Sequence, residues 1–95
     1  MKNKFNDNRL AEEFDLIVLT DDAHADAGFP VGSLGTLTYS YTGKDRPLYA
    51  EFTSGEATRE LAVGIDGFRV LNIKQPRDLS IVTAYLKKQR RGFAL

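Results

Sequence analysis

Apolar and polar residues alternate along the middle of this 95-residue chain. Leu37, Tyr39 and Tyr41 interleave with Thr36, Thr38 and Ser40, and Leu48, Ala50 and Phe52 interleave with Tyr49 and Glu51. A period of two sends one set of side chains inward and the other outward, which predicts two half-buried strands. Phe14 to Thr20 is different. Its centre, Leu16-Ile17-Val18-Leu19, is unbroken and aliphatic, which predicts a first strand buried on both faces or bent around a corner. Arg59 to Val63 and Phe68 to Leu71 supply a fourth strand and a short fifth.

Turn-forming residues separate these runs. Asn8 to Glu13 suits one helical turn capped by Asp7 or Asn8, and Asp21 to Gly28 is a polar loop of small residues. Gly43 to Pro47 and Ser54 to Ala57 read as turns, and Ile65 to Phe68 as a single 3₁₀ turn before the last strand. After Gln75-Pro76 the period changes. From Asp78 to Arg91, Leu79, Val82, Tyr85 or Leu86, and Gln89 recur at helical spacing, predicting a helix that lays this face on the sheet. Asp78 is its expected N-cap and Gly92 its expected stop.

Short strands at roughly ten-residue spacing predict a mainly β fold, a small sandwich or barrel, and the glycine-punctuated turn from Phe29 running into the alternating strand to Tyr41 points to a small SH3-like barrel of about five strands over 14–71, with a C-terminal α-helix over 78–91. Closing the sheet would limit its exposed edges. The length allows one modest core, so residues 1–95 are expected to form a single domain. No apolar run is long enough to span a membrane, the first eight residues lack a secretory apolar stretch, and there is no cysteine. The expectation is a cytoplasmic protein without disulfides or thiolate metal sites.

The net charge is zero, but it is divided. Residues 1–71 hold seven Lys/Arg against twelve Asp/Glu, whereas 72–95 hold six Lys/Arg and Asp78 alone. This is an acidic body with a basic tail, and a cationic last turn also complements a helix dipole.

Candidate chemistry is sparse. His24 is the single histidine, so a two-histidine metal site cannot form. Asp21, Asp22 and Asp26 around it lack the offsets of a calcium loop, so no metal or other cofactor is expected. Glu51 and Glu60 sit on neighbouring predicted strands, but a glycosidase-like pair needs a pocket and one raised pKa, and a small filled barrel leaves little room. Gly28, Gly32 and Gly35 match no phosphate-binding pattern and are better explained by backbone geometry. No enzymatic activity is expected.

The order of motifs carries a resemblance. Val18-Leu19-Thr20-Asp21-Asp22 is followed by a loop and Val31-Gly32-Ser33-Leu34-Gly35-Thr36-Leu37, then by Leu48-Tyr49-Ala50-Glu51-Phe52 and Phe68-Arg69-Val70-Leu71. Over Phe14 to Leu71 this resembles the DUF4926 family of small bacterial proteins. The Gly-x-x-Gly-Thr turn is also similar to that of KOW and other SH3-like ribosome-associated domains. The resemblance implies an SH3-like barrel and a small partner of a toxin, an immunity or antitoxin role, and transfers no catalytic residue. The helix from Asp78 to Arg91 departs from the short family form.

The first expectation is therefore a non-enzymatic protein-binding module that neutralises a cognate toxin. Asp21, Asp22, Asp26, Glu51, Glu56 and Glu60 would meet a basic cleft, with Tyr39, Tyr41 and Tyr49 as anchors. The alternative is a KOW-like nucleic-acid module contacting phosphates through Lys74, Arg77, Lys87, Lys88, Arg90 and Arg91. A structural homodimer, paired through the helix or a sheet edge, is the third.

Overall fold

A computed structural model describes residues 3–38, 48–54 and 57–93, apart from the side chains of 54, 57 and 88–93. Five strands and one helix follow in order: β1 (Leu16–Leu19), β2 (Leu34–Leu37), β3 (Leu48–Ser54), β4 (Ala57–Val63), β5 (Phe68–Val70) and α1 (Pro76–Phe93). All pairs are antiparallel, in the order β4-β3-β2-β1-β5. The mainly β fold with a C-terminal helix is as the sequence predicts. Tyr39 and Tyr41, expected to continue β2, and the turns Gly43 to Pro47 and Gly55-Glu56 lie outside the described residues.

The unbroken aliphatic run of β1 is buried on both faces because it packs between two layers. Ile17 and Leu19 join Leu37, Ala50, Phe52, Val63, Phe68 and Val70 in the main core. Leu16 and Val18 point the other way, to Leu34, Leu71 and the helix residues Ile81, Val82 and Tyr85. Ile17, Leu37 and Phe52 are fully buried. Burying each large side chain contributes on the order of 1.5–3 kcal/mol.

Gly35 is required by this core. It pairs with Phe52 across β2 and β3, and a Cβ at position 35 would lie 2.5 Å from the Phe52 ring and 2.8 Å from Glu51 O. The Phe52 ring also meets Phe29, centroid to centroid 5.5 Å, which pins the loop before β2 onto the core. Gly32 serves a different need: its φ of 96° turns the chain into β2.

The expected closure into a barrel does not occur. Among the described residues no ladder joins β4 to β5, and the sheet is open. Side chains occupy carbonyls there instead. Asn8 Nδ2, in a 3₁₀ turn (Asn8–Leu10) capped by Asp7, donates to Ile65 O at 2.7 Å and Phe68 O at 2.6 Å. His24 Nε2 donates to Ala62 O of β4 at 2.5 Å. Satisfying carbonyls locally removes part of the drive to close the sheet. Lys4 fastens the N-terminal segment by a 2.8 Å bond to Asp15, which holds the Lys4 ammonium above its ordinary pKa.

Three expectations about the helix are corrected together. It begins at Pro76, a favoured first position, and runs through Gly92 to Phe93. Leu79 N–H donates to Gln75 O, so Asp78 lies inside the first turn and does not cap it. The Asp78 carboxylate accepts from Arg69 Nη2 at 3.0 Å, Arg69 Nη1 at 3.2 Å and Asn72 N–H at 2.8 Å. This anchor sets the rotation of the helix: 78, 81, 82 and 85 share one face, so Ile81, Val82 and Tyr85 meet the sheet while Leu79 and Leu86 are exposed.

Two measurements follow. Gly35→Ala forces Phe52 and the β3 backbone to shift and should lower stability by about 1–3 kcal/mol, read as a lower urea midpoint. The Arg69 hydrogen bonds and the Asn72 N–H hold Asp78 below its ordinary pKa, against the opposing effect of burial. Its stabilisation is therefore complete above the unfolded-state pKa, about 4, and is lost as pH falls through the lower folded value. Asp78→Asn should cost about 1.5–3 kcal/mol at neutral pH and flatten the loss of urea stability below about pH 4.

Candidate protein-interaction surface

The sheet has two unlike faces. The pleat of β3 sends Leu48, Ala50 and Phe52 to the core and Tyr49, Glu51 and Thr53 to the side that α1 crosses. On β4, Glu60 and Ala62 share that side. Register places Glu51 directly opposite Glu60, with Tyr49 opposite Ala62 and Thr53 opposite Thr58. Both glutamates are exposed, and no ion pair or hydrogen bond reaches either carboxylate among the described residues. Directly opposed like charges destabilise a strand pair, so the fold carries this pair at a cost.

Asp21, Asp22 and Asp26 occupy the β1–β2 loop and are exposed. Asp21 lies against the turn between β4 and β5, where a Cβ on Gly67 would meet its Oδ2 at 2.5 Å. In the same loop His24 reaches Ala62, two residues from Glu60. The loop and strand carboxylates form no joint metal-holding centre: among the described residues no group of three or more His, Asp or Glu could hold a metal ion. Tyr49 is half-buried on the glutamate face, and its carbonyl accepts from Thr38 N–H at 3.0 Å and Thr38 Oγ1 at 3.1 Å. Tyr39, Tyr41 and Glu56 lie outside the described residues.

Among the described side chains, the basic candidates stand at the two ends of the helix. Lys74 and Arg77 are exposed where α1 begins, and Lys87 is exposed ten residues beyond Arg77. At about 1.5 Å per residue that separates the two ends by roughly 15 Å. Lys88, Arg90 and Arg91 follow Lys87 on the helix, their side chains outside the description.

Two features escaped the sequence reading. Grooves of about 600 and 480 Å³ flank Arg69, one along Asn8, Arg9 and Ile65, the other along Asn6, Asn72 and Asp78. Asp78 there is committed to Arg69 and Asp7 to Arg9, which leaves both carboxylates neutralised. Phe14 is 75% exposed and has a φ of 73°, a left-handed conformation that disfavours a bulky residue. Its N–H donates to Leu37 O at 2.7 Å, and Asp15 Oδ2 accepts from Glu12 N–H at 2.7 Å, so the backbone on both sides is clamped. Only the acidic flank Glu12-Glu13-Phe14-Asp15 could have marked it in the sequence.

Scans against protein-family models, curated proteins and solved structures each returned no match. No helix among the described residues is long and apolar enough to cross a membrane. Relief of the opposed pair is measurable: Glu60→Gln should raise stability by about 0.2–1 kcal/mol, seen as a higher melting temperature at low salt and a smaller gain at high salt.

Proposed function

We propose that this chain is a non-enzymatic, cytoplasmic protein-binding module of the DUF4926-like kind, an immunity protein that binds a basic cleft of a cognate bacterial toxin and occludes it. The observation that carries this reading is the exposed Glu51–Glu60 pair. Two carboxylates without an ion pair among the described residues, held in register by a seven-residue ladder, form an acidic surface whose repulsion a cationic partner relieves. Asp21, Asp22 and Asp26, exposed in the β1–β2 loop, add to the negative field that would steer a basic partner. Tyr49, half-buried beside Glu51, and the displayed ring of Phe14 offer aromatic anchors. The wide spacing of Lys74 and Arg77 from Lys87 favours this reading over a nucleic-acid module, which needs a continuous basic footprint.

The test is protection. Co-expression with the toxin encoded beside its own gene should restore host growth, and joint Glu51→Lys and Glu60→Lys substitution should remove the protection while the protein stays folded. Growth arrest that the wild-type chain does not relieve, or tight and steeply salt-dependent RNA binding by it, overturns the proposal.

A further inference from the structure

The acidic face and Lys87 lie on the side of the sheet that α1 crosses, and among the described residues no ion pair joins them. Tyr85 Oη donates to Thr53 O at 2.9 Å, which brings α1 over β3 two residues from Glu51. Tyr85 is the last described side chain that holds the helix to the sheet. Beyond it, Leu86 is 57% exposed, Lys87 is exposed, and the backbone stays helical to Phe93. These eight residues, 86–93, make an arm of about 12 Å. Lys87 has no ion pair among the described residues, and neither have Glu51 and Glu60.

We infer that the arm from Leu86 to Phe93 of one molecule docks on the Glu51–Glu60 face of a second copy, reciprocally, to form a two-fold dimer. Complementarity identifies the occupant. The chain carries five excess negative charges in residues 1–71 and five excess positive charges in 72–95, so two copies bring complementary charge to each other. An isologous contact needs both halves of the match near the axis, and the Tyr85–Thr53 bond places arm and face side by side. Leu86 adds apolar area to the charge match, and the Lys87 ammonium meets two carboxylates that otherwise only repel each other. The inference concerns self-association on the face that the proposed function gives to the toxin, so the second copy and the toxin compete for Glu51 and Glu60, and sedimentation without toxin reads the dimer alone.

The full-length chain is examined by sedimentation equilibrium from about 10 to 500 μM, at about 0.05 and 0.5 M salt. The expected result is a reversible dimer that weakens with salt. Lys87→Glu and Glu60→Lys should each raise its dissociation constant about tenfold or more. Mixing those two variants should restore wild-type affinity, because the heterodimer joins a reversed arm to a reversed face and leaves the other contact native. Glu60→Gln keeps the readout if a reversal disturbs folding: it should stabilise the monomer yet weaken the dimer. A monomer throughout the range, a dimer indifferent to salt, a dimer weakened at only one of the two positions, or failure of the mixture to recover affinity overturns the inference.

Discussion

The contact between Arg69 and Asp78 governs more of this molecule than its size suggests. One carboxylate, almost fully buried, ties the short edge strand β5, the Asn72 turn and the first turn of α1 into a single unit. A helix lying on a flat sheet could settle in several rotations, because its apolar residues span more than one face. Fixing Asp78 against Arg69 selects one. Ile81 and Val82 then cover Leu16, Val18 and Leu34, and Tyr85 reaches Thr53. Leu79 and Leu86, which lie on the face that sequence periodicity favours, are left exposed.

That rotation has consequences for charge. The helix crosses the sheet from β5 to β3, so its cationic end emerges beside the face that carries Glu51 and Glu60. A strand pair with opposed glutamates is a poor choice for stability alone. Its persistence beside Lys87, which has no ion pair among the described residues, gives the molecule two complementary surfaces. The open sheet adds to this. Asn8 and His24 take carbonyls of the β4–β5 turn, β5 and β4, so the sheet ends in polar side-chain contacts where a barrel seam would otherwise run.

Much of the architecture was legible along the chain. Alternation in β3 assigned its faces correctly, since a period of two leaves no freedom once one residue is placed. The aliphatic run at Leu16 to Leu19 announced burial on both sides, and Gly35 announced a close approach whose cause proved to be the Phe52 ring. The candidate surface was legible only in part. Glu51 and Glu60 could be placed on neighbouring strands, but their direct opposition depends on register, which the turn between β3 and β4 sets. The sequence pattern predicts Phe14 as the first residue of a strand, whereas its backbone is left-handed and its N–H donates to Leu37 O, 23 positions away.

Local chemistry, then, determined the elements, their faces and the division of charge, because periodicity, turn residues and ionisable groups act over a few residues. Tertiary structure decided whether the sheet closed, how the helix turned on its axis and which charges were left without partners. Each of those outcomes rests on pairings between distant residues: Asn8 with Phe68, His24 with Ala62, Tyr85 with Thr53, and Arg69 with Asp78 across the turn before the helix. Such pairings form only when the fold brings the partners within hydrogen-bond range, and each then contributes on the order of 0.5–1.5 kcal/mol to the arrangement it fixes.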